Sequence, residues 1–130
     1  MEARVLIVAY RTAATPRLVE HVRTRAAAQP STFTLLVPRP YWDPDTDEAA
    51  ITLELALPVL EEAAGKPVAG VIGATDPYDA VRGELERGDY DEVIISTLPE
   101  HVSRWLRRDL PHRVEQLGVP VTVVTAPPRS

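Results

Sequence analysis

The chain of 130 residues contains no cysteine. That excludes disulfides, thiol nucleophiles, thiolate zinc sites and cysteine-ligated iron–sulfur clusters. Lysine is nearly absent too: of 14 basic residues only Lys66 is a lysine. With alanine and proline abundant, this bias reads as GC-rich coding rather than as guanidinium chemistry. An excess of positive charge is also missing. Nineteen acids outweigh the basic residues, for a formal net charge of −5, which argues against a dedicated nucleic-acid binder. No stretch approaches the roughly 18 apolar residues that cross a bilayer. The opening apolar run is short and preceded by Glu2, where a secretory leader would be basic. A soluble, cytoplasmic protein is expected, without membrane or nucleic-acid partners. Glycine-rich signatures are absent: no G-x-G-x-x-G after the first apolar run, no G-x-x-x-x-G-K-[ST], and no G-x-S-x-G.

What is present is enough for one core. Hydrophobic residues make up 45% of the chain, and the length suits a single domain. Five short apolar runs stand out: Val5–Ala9, Thr32–Val37, Val68–Ile72, Val93–Ser96 and Val121–Val124. Continuous runs rather than alternation predict strands covered on both faces, as in a parallel sheet. Helical signals fall between them. Thr15-Pro16 reads as an N-cap followed by a first-turn proline, with Leu18, Val22 and Ala26 as a stripe. A second helix over about 46–64 carries Leu53, Leu57 and Leu60, and should bend at Pro58 and stop at Gly65. Asp76-Pro77 opens a third, with Asp79 in its first turn and Gly88 as its stop. Thr97-Leu98-Pro99-Glu100 has capping-box spacing. Leu110-Pro111 splits the last helical stretch, with Asp109 available to cap the second half. The loop over 38–46 is held extended by three prolines.

Strands alternating with helices predict an α/β fold, taken here as a single-domain, five-stranded, parallel, doubly wound, Rossmann-like sheet of order 3-2-1-4-5. It would span residues 1–126, with 127–130 as a flexible tail. Ligands of such sheets sit beyond the carboxyl ends of the strands, where the strand order reverses. Here that crevice lies between strands one and four. It would bring Arg11 and Thr12 beside Ser96 and Thr97, with Arg104 in reach. Those residues are the candidate site for a phosphate or other small anion, although Thr97 and Thr15 are also read as caps.

Other constellations carry less. Arg104, Arg107, Arg108 and Arg113 read either as a solvated helix face offset by Glu100, Asp109 and Glu115, or as an anion or partner surface; the first reading is preferred. Trp105 reads as core or interface filler. Asp43, Asp45, Asp47 and Glu48 lack the glycine and closing glutamate of a calcium loop, and His21, His101 and His112 lack ligand spacing, so no metal is expected. Ser96 or Ser103 can be combined with His101 or His112 and an aspartate into a triad only on paper. No catalytic residue is assigned, and the chain is expected not to be an enzyme.

Several segments together carry a resemblance. Val71-Ile72-Gly73 is followed by Asp76-Pro77, then Asp91-Glu92-Val93-Ile94-Ile95, an arginine-rich helix, and Val119-Pro120-Val121-Thr122-Val123-Val124. This succession resembles the universal stress protein family over nearly the whole chain. The resemblance implies a five-stranded doubly wound sheet, a homodimer formed through the edge of the last strand and, in some members, an ATP site. ATP-binding members carry G-x-x-G, nine residues, then G-[ST], after the fourth strand. Here Ser96 and Pro99 stand at the first two glycines, and Asp109-Leu110 or Arg107-Arg108 at the last pair. Glycine lets backbone approach a phosphate closely, whereas Pro99 has no N–H to offer and Asp109 would repel it. The acid expected after strand one is replaced by Tyr10-Arg11. The resemblance thus implies a divergent branch. Its members would be non-catalytic regulatory or binding modules, associated with stress response, that need no cofactor and do not bind ATP in the usual manner. The alternative is a binder of a nucleotide or phosphate at the crevice.

Overall fold

The computed structural model describes residues 2–43, 45–99 and 103–126. The expected tail at 127–130, together with Glu100 and His101, lies outside them. Ten elements alternate along the chain. The strands are β1 (Ala3–Val8), β2 (Ser31–Pro38), β3 (Ala69–Gly73), β4 (Glu92–Thr97) and β5 (Val121–Thr125). The helices are α1 (Pro16–Ala28), α2 (Glu48–Ala64), α3 (Pro77–Arg87), α4 (Arg104–Arg107) and α5 (Leu110–Glu115). The sheet runs β3-β2-β1-β4-β5 with every pair parallel. This is the expected order, so the winding reverses between β1 and β4.

Alternation along the central strands sends side chains into two separate cores. Val5 and Ile7 of β1 join Phe33, Leu35 and Val37 of β2 against Leu18 and Val22 of α1 and Leu60 of α2. Leu6 and Val8 face the other way, with Leu36, Val93 and Ile95, against Val81 of α3 and Leu110 and Val114 of α5. Val5 through Ala9 are all completely buried. Each of Val5, Leu6, Ile7 and Val8 contributes about 1.5–3 kcal/mol, which makes β1 the spine of the molecule. The edge strands depart from the expectation of cover on both faces. Ala69 and Gly70 of β3, and Thr122 and Val123 of β5, are exposed, because the helices pack over the middle of the sheet.

Local signals hold where the partners are near in sequence. The Asp76 side chain accepts the Asp79 N–H at 3.1 Å, capping α3. Gly65 closes α2 at φ 74°, a left-handed conformation that favours glycine. Gly73 marks a close approach: a Cβ there would stand 2.6 Å from the Ala80 Cβ, so α3 can lie tight on the end of β3 only with glycine at this position.

Three expectations are corrected. Thr15 is at the start of α1, but its hydroxyl donates to the Thr12 carbonyl at 2.9 Å rather than capping the helix. No helix opens directly after Thr97: Leu98 and Pro99 are not helical, and Glu100, the other half of the capping box, lies outside the described residues. Pairing with β5 carries β4 through Thr97, whose carbonyl accepts the Ala126 N–H at 2.8 Å. The next helix starts at Arg104, capped by Ser103, which accepts the Leu106 N–H at 3.2 Å. Asp109 precedes α5 but makes no side-chain cap; at φ 58° it instead turns the chain between α4 and α5. As expected, α2 carries Pro58 in its interior and is closed by Gly65. Pro58 and Glu54 both face solvent, so the Glu54 carbonyl that loses its partner can meet water.

Candidate functional site

Beyond the carboxyl ends of β1 and β4 lies a crevice of about 810 Å³, within the size range of small-molecule sites. Its floor is set by the turn that follows β1. The Ala13 N–H bonds the Tyr10 carbonyl at 3.3 Å and the Thr15 N–H bonds the Thr12 carbonyl at 3.2 Å. This coil turns Thr12 inward, where it is 3% exposed, and its hydroxyl meets that of Ser96 at 2.7 Å. Two polar groups that would be costly to bury alone thus satisfy one another. They also tie the β1 turn to β4 at the point where the winding reverses. Beside them Thr97 is buried, with its hydroxyl 3.4 Å from that of Thr125.

The outer wall is built by residues 39–47, between β2 and α2. This loop is held at both ends. The Arg39 N–H donates to the Gly73 carbonyl at 3.2 Å. At the other end, the Tyr10 hydroxyl donates to the carboxylate of Glu48, the first residue of α2. Burial, followed by the hydrogen bond to Glu48 and its negative charge, pushes the Tyr10 phenol up to about 12, with Arg11 pulling weakly the other way. The loop carries Tyr41 and Trp42 across the mouth. Their rings meet edge to face at 5.0 Å, and Trp42 lies 5.8 Å from the Tyr10 ring. The Arg11 guanidinium lies 5.3 Å from the Trp42 centroid, and that of Arg104 lies 4.0 Å from Tyr41.

The charge around this cavity is opposite to that of the whole chain. Among the described residues four arginines line it, Arg11, Arg39, Arg104 and Arg108, against one carboxylate, Asp76. Among the described residues, none of the four arginines takes part in an ion pair within 4.0 Å. Four of the seven aromatic residues line the same space: Tyr10, Tyr41, Trp42 and Trp105. Such an arrangement can hold a planar ring and an anionic group at once.

All five residues singled out in the sequence line the crevice: Arg11, Thr12, Ser96, Thr97 and Arg104. Their roles divide. Thr12, Ser96 and Thr97 form a buried floor, while Arg11 and Arg104 are exposed at the rim. The arginine-rich segment, read mainly as a solvated face, contributes Arg104 and Arg108 to the crevice, and Arg113 instead lies 4.2 Å from the Tyr78 ring. Trp105 is partly buried against the second core and lines the crevice as well. Sequence reasoning missed Tyr41, Trp42 and Arg39. Their one available signal was a pair of adjacent aromatics, in a chain with few, inside a proline-stiffened loop.

No family model matches the chain, and no curated protein matches it in sequence. Solved structures do match. A universal stress protein from Archaeoglobus fulgidus has a TM-score of 0.68 at 14% identity, covering 95% of this chain and 94% of its own. The universal stress protein from the same organism in complex with dAMP has a TM-score of 0.67 at 15% identity, covering 95% and 98%. A universal stress protein in complex with cAMP has a TM-score of 0.68 at 16% identity, covering 97% and 98%. The resemblance read from the sequence therefore holds at the level of the fold.

Proposed function

We propose that this chain, which has the fold of the universal stress proteins, is a non-catalytic binding module that takes a nucleotide or a related small anion in the crevice between β1 and β4. The observation that carries the reading is the cluster of four arginines without ion-pair partners among the described residues, gathered at one cavity of a protein with net charge −5. Unneutralised guanidinium groups in one concave site favour an anion. The neighbouring folds solved with dAMP and cAMP support a nucleotide as that anion. Arg11 and Arg104 would contact it from the rim, over the floor of Thr12, Ser96 and Thr97. Pro99, which has no N–H, stands where a phosphate-cradling glycine would be, so the anion would be held by side chains rather than by a glycine loop.

Among the described residues no nucleophile and base are paired in the crevice: the Ser96 hydroxyl is bonded to Thr12. This supports a role in binding rather than turnover. The module would act as a homodimer joined through the edge of β5, in the soluble cytoplasm, without nucleic acid or membrane as partner; among the described residues no helix is long and apolar enough to cross a membrane.

Thermal unfolding with AMP, dAMP, cAMP, ATP and inorganic phosphate tests this reading. A ligand present at a hundredfold its Kd should add about 2.7 kcal/mol of stability. Arg11→Ala should weaken the best ligand by tenfold or more, since a hydrogen bond to a charged group is worth about 1.5–3 kcal/mol. Nucleotide should be recovered intact after incubation. A melting curve unmoved by all five compounds would overturn the binding reading, and hydrolysis abolished by Ser96→Ala would overturn the non-catalytic one.

A further inference from the structure

We propose that Trp42 is a specificity-determining residue of this crevice, a platform on which the planar ring of an anionic ligand stacks. The inference rests on the reading of the crevice as an anion site. It starts from an oddity of exposure. Tyr41 and Trp42 are 55% and 47% exposed, although each would gain by burial and both lie beside a cavity. Large aromatics left open at a concave site are recognition surface more often than packing.

Trp42 is also held in place. Tyr10 and Tyr41 pack against its ring from two directions, and Tyr10 is itself fixed by its hydrogen bond to Glu48. A platform already oriented costs little further entropy when a ligand settles on it. The contacts then continue across the mouth as Arg11, Trp42, Tyr41 and Arg104, joining the end of β1 to the start of α4. A guanidinium seated over a ring spends its face on that contact and keeps its edge N–H groups for an anion. Ring recognition and phosphate recognition are thus made by side chains in mutual contact. A ligand with both features gains from both, whereas a phosphate without a ring gains only from the arginines. The ligand class follows: a planar heterocycle joined to phosphate, preferred over a sugar phosphate or free phosphate.

Calorimetric titration with AMP and with ribose 5-phosphate tests this on the full chain. The wild type should prefer AMP by roughly tenfold or more, in keeping with the strength of base–aromatic stacking. Trp42→Leu should remove most of that preference by weakening AMP, and Trp42→Phe should retain much of it. Arg11→Ala should weaken both compounds and leave their ratio nearly unchanged. An unaltered ratio in Trp42→Leu would overturn the platform while leaving the anion site standing. If the wild type binds neither compound, the anion reading fails and the platform with it. Fluorescence gives a second readout that does not require the Trp42→Leu variant to fold. In Trp105→Phe the emission of Trp42 should be quenched by AMP and not by ribose 5-phosphate; equal responses would overturn the platform.

Discussion

Tyr10 joins the end of β1 to the start of α2, because its hydroxyl reaches across the loop to Glu48. Burial and the Glu48 carboxylate raise its phenol from 10.0 to about 12. An acid whose pKa is higher in the fold than in the unfolded chain holds its proton more tightly when folded. Its stabilisation is therefore whole below pH 10, where both states are protonated, and is lost as pH rises from about 10 through about 12. Alkaline difference spectroscopy should show one late tyrosine transition near the upper value that is missing from Tyr10→Phe. The loss of stability across the same interval should be shallower in that variant. Tyr90 is also raised, chiefly by burial, and should give a further delayed transition unaffected by the Tyr10 change. Hydroxyls at strand ends are easy to pick out in a sequence, as Thr12 and Ser96 were. That the two bond each other across 84 positions of chain is not, because nothing local distinguishes a hydroxyl facing a ligand from one facing its twin.

Among the elements, α3 combines two demands at one residue. Asp76 caps the helix through the Asp79 N–H, and among the described residues it is also the one carboxylate that lines the crevice. The two roles are separable, because asparagine caps about as well as aspartate but carries no charge. Asp76→Asn should keep the melting temperature and tighten AMP several-fold by relieving repulsion. Asp76→Ala should tighten AMP similarly and lose about 1 kcal/mol of stability. Equal affinity in all three proteins would place the carboxylate too far from the anion to matter. The Asp76 cap was legible in the sequence because cap, proline and the N–H donor Asp79 lie within four residues. The helix start read at Thr97 misled for the opposite reason. Its residues have the right spacing, but pairing with Thr125 holds Thr97 in a strand, and that partner is remote in sequence.

For the molecule as a whole, the parallel sheet was legible because it follows from few constraints, whereas its strand order was supplied by the resemblance to a known family. Five apolar runs separated by helices leave little choice beyond a parallel sheet, and the position of the reversal then places the crevice. The aromatic wall was not legible, since Tyr41 and Trp42 gain their meaning from Arg11 and Arg104, which other elements deliver. The same sheet order leaves β5 with a neighbour on one side only. Its Val123 is 40% exposed and Thr122 is open beside it. An exposed apolar edge invites pairing with another strand, and a second copy meeting it around a two-fold axis would close both edges at once. β3 forms the other edge, but its exposed residues are Ala69 and Gly70, which offer little apolar surface. Sedimentation equilibrium should therefore find a dimer that Val123→Arg converts to monomer and Ala69→Arg does not. Because Val123 already faces solvent in the single chain, the monomeric variant should keep its circular dichroism and lose no more than about 0.5 kcal/mol of intrinsic stability. A wild type that sediments as a monomer, or a dimer broken by the substitution on β3 alone, would remove β5 from the interface.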